Sequence, residues 1–151
     1  MRHGILVGME NVVVKIIEKV FYTDDDPDDH FIFKHVLNEI RPTANLYSFY
    51  KCDDLMKCLN NSDCSTPDII FLDQNMFSSS GNECLKKIKN LAEMKHVPVI
   101  LYSTAGDIQL VDEAIKSGAH KYLIKGNGKN AIKRDLSAVI DECERLRYNI
   151  Q

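Results

Sequence analysis

Residues 67–73, with the sequence PDIIFLD, decide the fold class, because an uninterrupted apolar run there ends on a carboxylate. Four consecutive apolar residues predict a strand that is buried on both faces, as in a parallel sheet. An isolated carboxylate is costly to remove from water, so Asp73 needs a charged partner or a bound cation. The stretch therefore predicts a polar site at the carboxyl edge of a parallel sheet.

Three other predicted strands also end in polar groups that could reach the same place. These groups are the carboxylates of Asp24 and Asp25, the hydroxyl of Ser103 and the ammonium group of Lys125. The carboxyl ends of neighbouring parallel strands lie along one edge of a sheet. We therefore expect the acids, the hydroxyl and the ammonium group to converge on a single site with Asp73.

A regular alternation of strand and helix patterns runs from residue 19 to the end of the chain. Short apolar or alternating runs predict strands over residues 19–23, 45–50, 67–72, 97–102 and 121–124. Helical spacing of apolar residues predicts helices over residues 27–40, 53–60, 82–94, 107–117 and 130–147. Such strand–helix units favour an α/β fold, a parallel sheet with helices on both faces. In the first helix the expected buried face comprises Ile32, Phe33, Val36, Leu37 and Ile40.

The composition fits one domain of 151 residues, of which 44% are apolar. A formal net charge of −3 argues weakly against binding to nucleic acid, and no apolar run approaches the length of a membrane span. The five cysteines show neither a CxxC pair nor zinc spacing, so we expect reduced thiols and a cytoplasmic protein. Four histidines lack metal-binding spacing and are predicted to lie on the surface: His30, His35, His96 and His120.

Residues 1–17 form an N-terminal extension that the alternation does not explain. The apolar residues within 12–17 could lengthen the first strand, add an edge strand or form an arm that binds a partner. Met9 is an alternative start of the chain. We assign residues 1–17 to an extension whose structure the pattern leaves open, and residues 18–151 to a single domain.

The run DDDPDD at residues 24–29 places five carboxylates in six positions. Its second part has a local explanation, since Asp26 suits an N-cap, Pro27 suits the first helical position, and the next two acids complement the helix dipole. Asp24 and Asp25 precede that cap, and their like charges repel each other. A divalent cation relieves such repulsion, and Mg²⁺ suits a site of few carboxylates and a phosphate. We therefore expect Mg²⁺ binding here, with a purely solvated acidic loop as the alternative.

Four segments together resemble the response-regulator receiver domain, the CheY-like phosphoacceptor of two-component signalling. They are FYTDDDPDD with Asp24 and Asp25, PDIIFLDQNM with Asp73, VPVILYST with Ser103, and GAHKYLIK with Lys125. The resemblance covers about residues 18–147. It implies a flavodoxin-like, doubly wound five-stranded parallel sheet with the strand order 2-1-3-4-5 and helices on both faces.

The resemblance also implies a phosphoryl-transfer site. Asp73 would be the nucleophile that takes a phosphoryl group from a phosphohistidine, and Lys125 would pair first with the acceptor and then with the phosphoryl oxygens. Ser103 would donate its hydroxyl to the phosphoryl group in the active state, and the rotamer of Tyr122 would follow that movement. The implied Mg²⁺ ligands are Asp24, Asp25, Asp73 and the backbone carbonyl of Asn75.

A stand-alone receiver of this kind would be a signalling domain and not an enzyme, apart from self-catalysed phosphotransfer and autodephosphorylation. Its phosphodonor would be a sensor histidine kinase or a phosphotransfer protein. Its downstream partner would be an unknown protein bound by the helix 107–117, the fifth strand and the last helix. Direct contact with nucleic acid or a membrane is not expected.

Two residues depart from the family pattern. Phe77 replaces a proline four residues after the acceptor, and Gly126 replaces a proline whose peptide bond is commonly cis. A cis bond without proline is costly, so we expect a trans bond before Gly126. These departures leave a second hypothesis, a phosphorylation-independent interaction module. A third, a small nucleotide-binding protein, would need a glycine-rich loop where the acidic run stands.

Overall fold

The structure, a computed structural model, describes residues 4–7 and 12–149, with side-chain burial described for residues 15–145. Its main element is a five-stranded parallel sheet in the order β4-β3-β5-β6-β7. Counted from its first strand in the chain, this order is 2-1-3-4-5, as predicted. The strands are β3 (Lys19–Thr23), β4 (Asn45–Phe49), β5 (Ile69–Leu72), β6 (Val99–Ser103) and β7 (Lys121–Ile124).

Five helices cover both faces of the sheet, which confirms the predicted α/β architecture. They are α1 (Pro27–Ile40), α2 (Cys52–Leu59), α3 (Gly81–Lys89), α4 (Ile108–Lys116) and α5 (Lys129–Asn149). The buried side chains of α1 and α5 form one core cluster with the sheet, and those of α2, α3 and α4 form the other. The predicted helix 82–94 is shorter than expected, because a separate 3-10 turn forms at Ala92–Met94. Among the described residues, no helix is both long and apolar enough to cross a membrane.

The central strand β5 shows why this sequence forms a parallel sheet with two covered faces. All four of its side chains are fully buried. Phe71 belongs to the cluster with α1 and α5, whereas Ile70 and Leu72 belong to the cluster with α2, α3 and α4. Alternate residues of a strand point to opposite faces, so an unbroken apolar run can enter both cores.

The N-terminal residues form an antiparallel hairpin of β1 (Gly4–Val7) and β2 (Val12–Lys15). This hairpin is a separate two-stranded sheet, so residues 12–15 neither lengthen β3 nor add an edge strand to the main sheet. Strand β2 lies against α5. The Ile17 amide then donates a hydrogen bond to the Glu144 carboxylate at 2.8 Å. The division between residues 1–17 and 18–151 stays a prediction, and Met9 lies outside the described residues.

The buried face of α1 differs from the prediction at two residues. Ile32, expected in the core, is 40% exposed, whereas His30, expected on the surface, is 5% exposed. The His30 ring contacts the Tyr22 ring at a centroid distance of 4.8 Å, and its Nε2 lies 2.7 Å from the Asp24 carbonyl oxygen. His30, Phe33 and Leu37 follow one another at helical spacing on the buried face, and Ile32 lies off that face.

The prediction of reduced thiols is wrong for four of the five cysteines. Disulfides join Cys52 to Cys84 and Cys58 to Cys64, with Cα–Cα distances of 5.9 and 5.5 Å. The first of them links the beginning of α2 to α3, two helices that pack on the same face of the sheet. Cys143 is buried in α5 and belongs to neither disulfide.

Candidate functional site

The backbone ladder of the main sheet brings the predicted site residues to one edge. Thr23 pairs with Leu72, and Leu72 pairs with Leu101, so β3, β5 and β6 end side by side. The ladder continues one residue further, because the Asp73 amide donates to the Thr23 carbonyl at 2.9 Å and the Lys125 amide donates to the Ser103 carbonyl at 2.8 Å. The parallel register therefore positions the acids and the lysine before any side chain interacts.

Three carboxylates form a cluster that could hold a cation. One oxygen atom each from Asp24, Asp25 and Asp73 lies within 4.8 Å of the other two. Asp24 is 1% exposed and Asp73 is 6% exposed, whereas Asp25 is exposed to solvent. Hard oxygen donors at this spacing, with one side open to water, suit a divalent cation such as Mg²⁺.

Asp24 is the most firmly held member of the cluster. Its Oδ2 accepts hydrogen bonds from the Tyr22 hydroxyl and from the Lys125 ammonium, both at 2.6 Å. Its Oδ1 accepts from the Asp26 amide at 2.9 Å. Burial and the neighbouring Asp24 carboxylate raise the pKa of Tyr22 well above its ordinary value, so this phenol stays a hydrogen-bond donor. The Asp24 side chain is therefore fixed by three donors from three different residues.

Lys125 is nearly enclosed, with a side chain that is only 8% exposed. Its Nζ lies 2.6 Å from Asp24 Oδ2, 2.9 Å from Asp29 Oδ2 and 3.6 Å from Asp73 Oδ1. Burial alone would lower the pKa of Lys125, but the hydrogen bonds to Asp24 and Asp29 and the charge of Asp73 outweigh it and raise the pKa. The ammonium group therefore carries its charge at neutral pH and pairs with three carboxylates.

Asp73 lies among charges of both signs, and burial is the largest effect on it. Burial raises the pKa of Asp73 to about 6, assisted by the negative charges of Asp24 and Asp25 and opposed by Lys125 and Ser103. A carboxylate with that pKa is largely ionised near neutral pH, as a nucleophile must be. Its ionised form is nevertheless costly in the folded protein, because the pKa lies above the ordinary value of 3.8.

Several polar atoms at the ends of β3, β5 and β6 are buried without a hydrogen bond. Within the part of the chain that the structure describes, Ser103 Oγ, Thr23 Oγ1 and Gln74 Oε1 have no partner. Ser103 is fully buried at the end of β6. A buried polar atom without a partner costs free energy and calls for an explanation in each case. The Ser103 hydroxyl nevertheless lies close enough to Asp73 and Tyr122 for a weak polar interaction, outside normal hydrogen-bond geometry, that acts to lower the pKa of each group.

Tyr122 in β7 contacts the loop that follows β6. Its hydroxyl donates a hydrogen bond to the Ala105 carbonyl at 2.7 Å. A Cβ atom at Gly106 would lie 2.6 Å from the Tyr122 ring, so the loop can approach this ring because position 106 has no side chain. The aromatic side chain thus connects β7 to the loop that follows Ser103.

The loop after Asp73 is closed by a bridge between Asn75 and Ser80. Ser80 caps α3 in a reciprocal arrangement, since its hydroxyl accepts from the Glu83 amide and the Glu83 carboxylate accepts from the Ser80 amide. Phe77 lies between them and is 97% exposed. At Gly81 a Cβ atom would come within 2.6 Å of the Asp73 carbonyl oxygen. The loop is therefore held at both ends while its aromatic residue faces solvent.

The other departure from the family pattern follows Lys125. The described backbone contains no cis peptide bond, so the bond before Gly126 is trans, as predicted. A Cβ atom at this position would lie 2.9 Å from the Ala131 Cβ. The glycine therefore allows the segment after β7 to pass close to the first turn of α5.

Two residues of the site, Tyr22 and Asp29, were not expected from the sequence. Tyr22 was counted only as part of an apolar strand, although its separation of two residues from Asp24 places both side chains on the same face. Asp29 was explained by the helix dipole alone. Its position in the first turn after the cap Asp26 gives no sign of the contact with Lys125, which is 96 residues away in the chain.

Comparisons with known proteins give a consistent result. A family model described as the response regulator receiver domain matches residues 20–137. The chain is 24% identical over 106 residues to the cyclic di-GMP phosphodiesterase response regulator RpfG of Xanthomonas campestris, a match that covers 70% of this chain and 27% of RpfG. It is 25% identical over 122 residues to the chemotaxis protein CheY1 of Helicobacter pylori, covering 81% of this chain and 96% of CheY1.

The fold resembles that of the Mn²⁺-bound response regulator Rcp1, with a TM-score of 0.72 and 20% identity over 81% of this chain and 91% of Rcp1. The curated relatives differ in how much of their length is matched. The first two are matched over only 27% and 52% of their length, whereas CheY1 is matched almost completely. The shared part is therefore one domain, which in some relatives is joined to further sequence.

Proposed function

This chain belongs to the response regulator receiver domain family, and we propose that it accepts a phosphoryl group on Asp73 in two-component signalling. The donor would be a phosphohistidine of a sensor histidine kinase or of a phosphotransfer protein. An Asp73 carboxylate oxygen would attack the phosphorus, forming the O–P bond as the P–N bond breaks. The imidazole nitrogen would keep the bonding electron pair and take up a proton.

One observation carries this proposal: a lysine and two further carboxylates surround the Asp73 carboxylate. The Lys125 ammonium lies 3.6 Å from Asp73 Oδ1, and Asp24 and Asp25 complete the cluster within 4.8 Å. Phosphoryl transfer depends mainly on alignment and on neutralising charge around the phosphoryl oxygens. A buried ammonium beside the nucleophile supplies part of that neutralisation.

The metal site would consist of Asp24, Asp25 and Asp73, with the backbone carbonyl of Asn75. The oxygen spacing supports a divalent cation, and the related protein Rcp1 binds Mn²⁺. We propose Mg²⁺ as the ion, because it prefers oxygen ligands and coordinates phosphate oxygens. When bound, it would neutralise charge on the phosphoryl group. Asp24 would keep its place through Tyr22, and the exposed Asp25 would hold the solvent side of the ion.

Ser103 and Tyr122 would convert phosphorylation into a change of shape. The buried Ser103 hydroxyl lacks a partner among the described residues and could donate to a phosphoryl oxygen. Its movement would shift the loop that Tyr122 contacts through the Ala105 carbonyl. A local change of charge would thus bias a two-state element, in the manner of other phosphorylation switches.

The downstream protein would bind the surface formed by α4, β7 and α5. This surface carries apolar side chains that face solvent, namely Ile108, Ile115 and Ile124, which are 86%, 48% and 47% exposed. Exposed apolar side chains on adjoining elements are common at protein interaction sites. The predicted cytoplasmic location relied in part on reduced thiols, and it stays a prediction. The absence of direct nucleic-acid and membrane contacts is likewise a prediction.

The test is incubation of the protein with Mg²⁺ and acetyl phosphate, followed by intact-mass measurement. We expect the mass to increase by one phosphoryl group, and we expect Asp73→Asn or removal of Mg²⁺ with a chelator to abolish the increase. Beryllofluoride should also shift the amide spectrum of the wild type but not of Asp73→Asn. A wild-type protein that stays unchanged in both assays would favour the phosphorylation-independent interaction module.

A further inference from the structure

The resting position of the Lys125 ammonium is closer to an acid of helix α1 than to the acceptor. Its Nζ lies 2.9 Å from Asp29 Oδ2, within hydrogen-bond distance, and 3.6 Å from Asp73 Oδ1, beyond that distance. The strongest contact is with Asp24, at 2.6 Å. The lysine therefore donates to Asp24 and Asp29, while Asp73 receives only its electrostatic attraction.

The two hydrogen-bonded acids differ in how easily they could release the lysine. Asp24 is buried and is also held by Tyr22 and by the Asp26 amide, so it forms the fixed end of the contact. The Asp29 side chain is 28% exposed, so water can replace the lysine as its partner. Water reaches the Asp29 end of this pair but not the Asp24 end of the other, so the Asp29 contact is the more strongly screened and the more easily exchanged of the two. The contact with Asp29 is therefore the one that can break when a new acceptor arrives.

The local structure of α1 explains why a carboxylate is favoured at this position. Asp26 is the N-cap and Pro27 is the first helical residue, which places Asp29 in the first turn. The partial positive charge at the beginning of a helix stabilises a nearby carboxylate. Helix α1 thus presents the Asp29 carboxylate to Lys125, in addition to Asp24 and the acceptor Asp73.

From this geometry we propose that Asp29 is a positioning residue, which holds Lys125 off Asp73 in the resting protein and thereby opposes phosphorylation. This inference rests on the proposed function of Asp73. A phosphoryl group on Asp73 brings additional charge and oxygen atoms near the ammonium. Lys125 would keep Asp24 and exchange Asp29 for a phosphoryl oxygen. The hydrogen bond between Asp29 and Lys125 exists only in the resting arrangement. Asp29 therefore stabilises the resting state relative to the phosphorylated one.

The same helix turn offers a matched control. Asp28 is exposed, carries the same charge and lies one residue before Asp29, and no contact joins it to Lys125 among the described side chains. Its amide, not its carboxylate, takes part in the cap with Asp26. Removing either acid makes the region less negative, but only Asp29→Asn would free the lysine. Comparison of the two variants therefore separates the specific contact from general repulsion of an anion.

The experiment is titration of the protein with beryllofluoride at saturating Mg²⁺, followed by amide chemical shifts. We expect Asp29→Asn to bind beryllofluoride about fivefold more tightly than the wild type, Asp28→Asn to change the affinity less than about twofold, and Asp29→Glu to restore wild-type affinity. A merely structural role of Asp29 would not give this order. In a Lys125→Gln background, Asp29→Asn and Asp28→Asn should have equal effects, because the contact is already lost.

Two results would overturn the inference, and they differ in what they say about the proposed function. If the wild type binds beryllofluoride but Asp29→Asn and Asp28→Asn change the affinity equally, Asp29 acts only through its charge and the phosphoacceptor function stands. If the wild type fails to bind beryllofluoride and is not phosphorylated by acetyl phosphate, both the proposed function and the role of Asp29 are wrong.

Discussion

The Asp24 carboxylate on the α1 side of the candidate site and the polar side chains at the ends of β5 and β6 differ in how completely they are paired. On the side of α1, Asp24 receives hydrogen bonds from Tyr22, Lys125 and the backbone of the acidic loop. On the side of β5 and β6, Ser103 and Gln74 are buried with an oxygen atom that has no partner among the described residues. The Asp24 carboxylate and its donors therefore form a paired side in the resting protein, with His30 Nδ1 on α1 as an exception that has no partner among the described residues, whereas the unpaired side at Ser103 and Gln74 carries an uncompensated cost of burial.

This difference has a consequence for substitutions. Removing a group from the paired side leaves a buried partner uncompensated and should destabilise the fold. Removing a group from the unpaired side should leave stability unchanged and affect only ligand binding. The acceptor Asp73 is intermediate. Lys125 Nζ lies 3.6 Å from it, but burial still raises its pKa to about 6, so its charge is only partly compensated.

The largest effect on stability is expected for Lys125→Met. This substitution keeps the apolar stem but removes the cation that faces three carboxylates, two of them buried. We expect the metal-free protein to lose about 2–4 kcal/mol of unfolding free energy, as when one partner of a buried ion pair is removed. Urea denaturation in a chelating buffer measures the loss, and Mg²⁺ should restore part of it.

Lys129→Met is the control for that experiment. Lys129 pairs with Glu39 at 2.5 Å, but its side chain is 50% exposed, so the loss should be much smaller. Equal losses for the two lysine variants would show that pairing at the site does not contribute specifically to stability.

The next largest expected effect on stability is a gain in unfolding free energy, not a loss. Asp73→Asn should stabilise the metal-free protein by about 1–2 kcal/mol near neutral pH, because ionising a group whose folded pKa is raised costs free energy. Below the unfolded pKa of 3.8 the wild-type carboxyl is protonated in both states, and between that value and about 6 the cost grows with pH. The advantage of the variant should therefore appear as the pH rises through this window. Thermal unfolding at several pH values measures it.

Asp25→Asn is the natural comparison for the acceptor variant. Asp25 belongs to the same cluster but is exposed, so water already stabilises its charge. We expect a smaller gain in unfolding free energy than for Asp73→Asn. A gain as large as that of Asp73→Asn would mean that mutual repulsion, and not burial, dominates the cluster.

A smaller loss is expected for Tyr22→Phe, which removes one donor from Asp24 and keeps the ring stacked on Phe33 at a centroid distance of 4.1 Å. Hydrogen bonds to charged groups contribute more than neutral ones, so we expect a loss of about 1–2 kcal/mol in urea denaturation. Tyr102→Phe alters another buried tyrosine of the same core and should cost less. The reverse order of the two variants would contradict the proposed importance of the Tyr22 hydroxyl.

The smallest change in stability is expected for Ser103→Ala. Because its hydroxyl has no partner among the described residues, the unfolding free energy should stay within about 0.5 kcal/mol of the wild type. The same variant should bind beryllofluoride more weakly, since a proposed donor to the phosphoryl group is lost. Ser80→Ala, which removes a helix cap, should instead cost about 1 kcal/mol without weakening that binding. A large loss from Ser103→Ala would erase the distinction between the two sides.

The sequence predicted the sheet, the carboxyl end of each of its strands to within one residue, and the residues that the edge brings together, because these depend on local periodicity and on parallel topology. Helix α5 illustrates this, since the helical spacing of Ile132, Leu136, Val139, Ile140 and Cys143 that predicts a helix over residues 130–147 also places all five in the core. Strand β7 also has the predicted bounds, Lys121–Ile124. Repeating patterns of this kind are properties of a single element and can be read without knowing its neighbours.

The missed features depend on how separate elements meet. The Asp29 contact requires the first turn of α1 to face the end of β7, and the Cys52–Cys84 disulfide requires α2 and α3 to pack side by side. Neither the Asp29–Lys125 contact nor the disulfide can be inferred from the spacing of residues along the chain. Tyr22 is different, because its separation of two residues from Asp24 in an extended strand was a usable signal. The roles of the site residues stay proposals.

The close approach at Gly81 constrains how this protein can vary. A Cβ atom there would meet the Asp73 carbonyl oxygen and the Leu101 Cδ1, each at 2.6 Å, so one contact is with rigid main chain. Phe77, four residues earlier, is almost fully in solvent. A saturation library over this loop should therefore accept nearly every amino acid at position 77 and reject all replacements at position 81. Sequence variation in this loop should therefore occur at exposed positions such as 77, while glycine is retained at position 81.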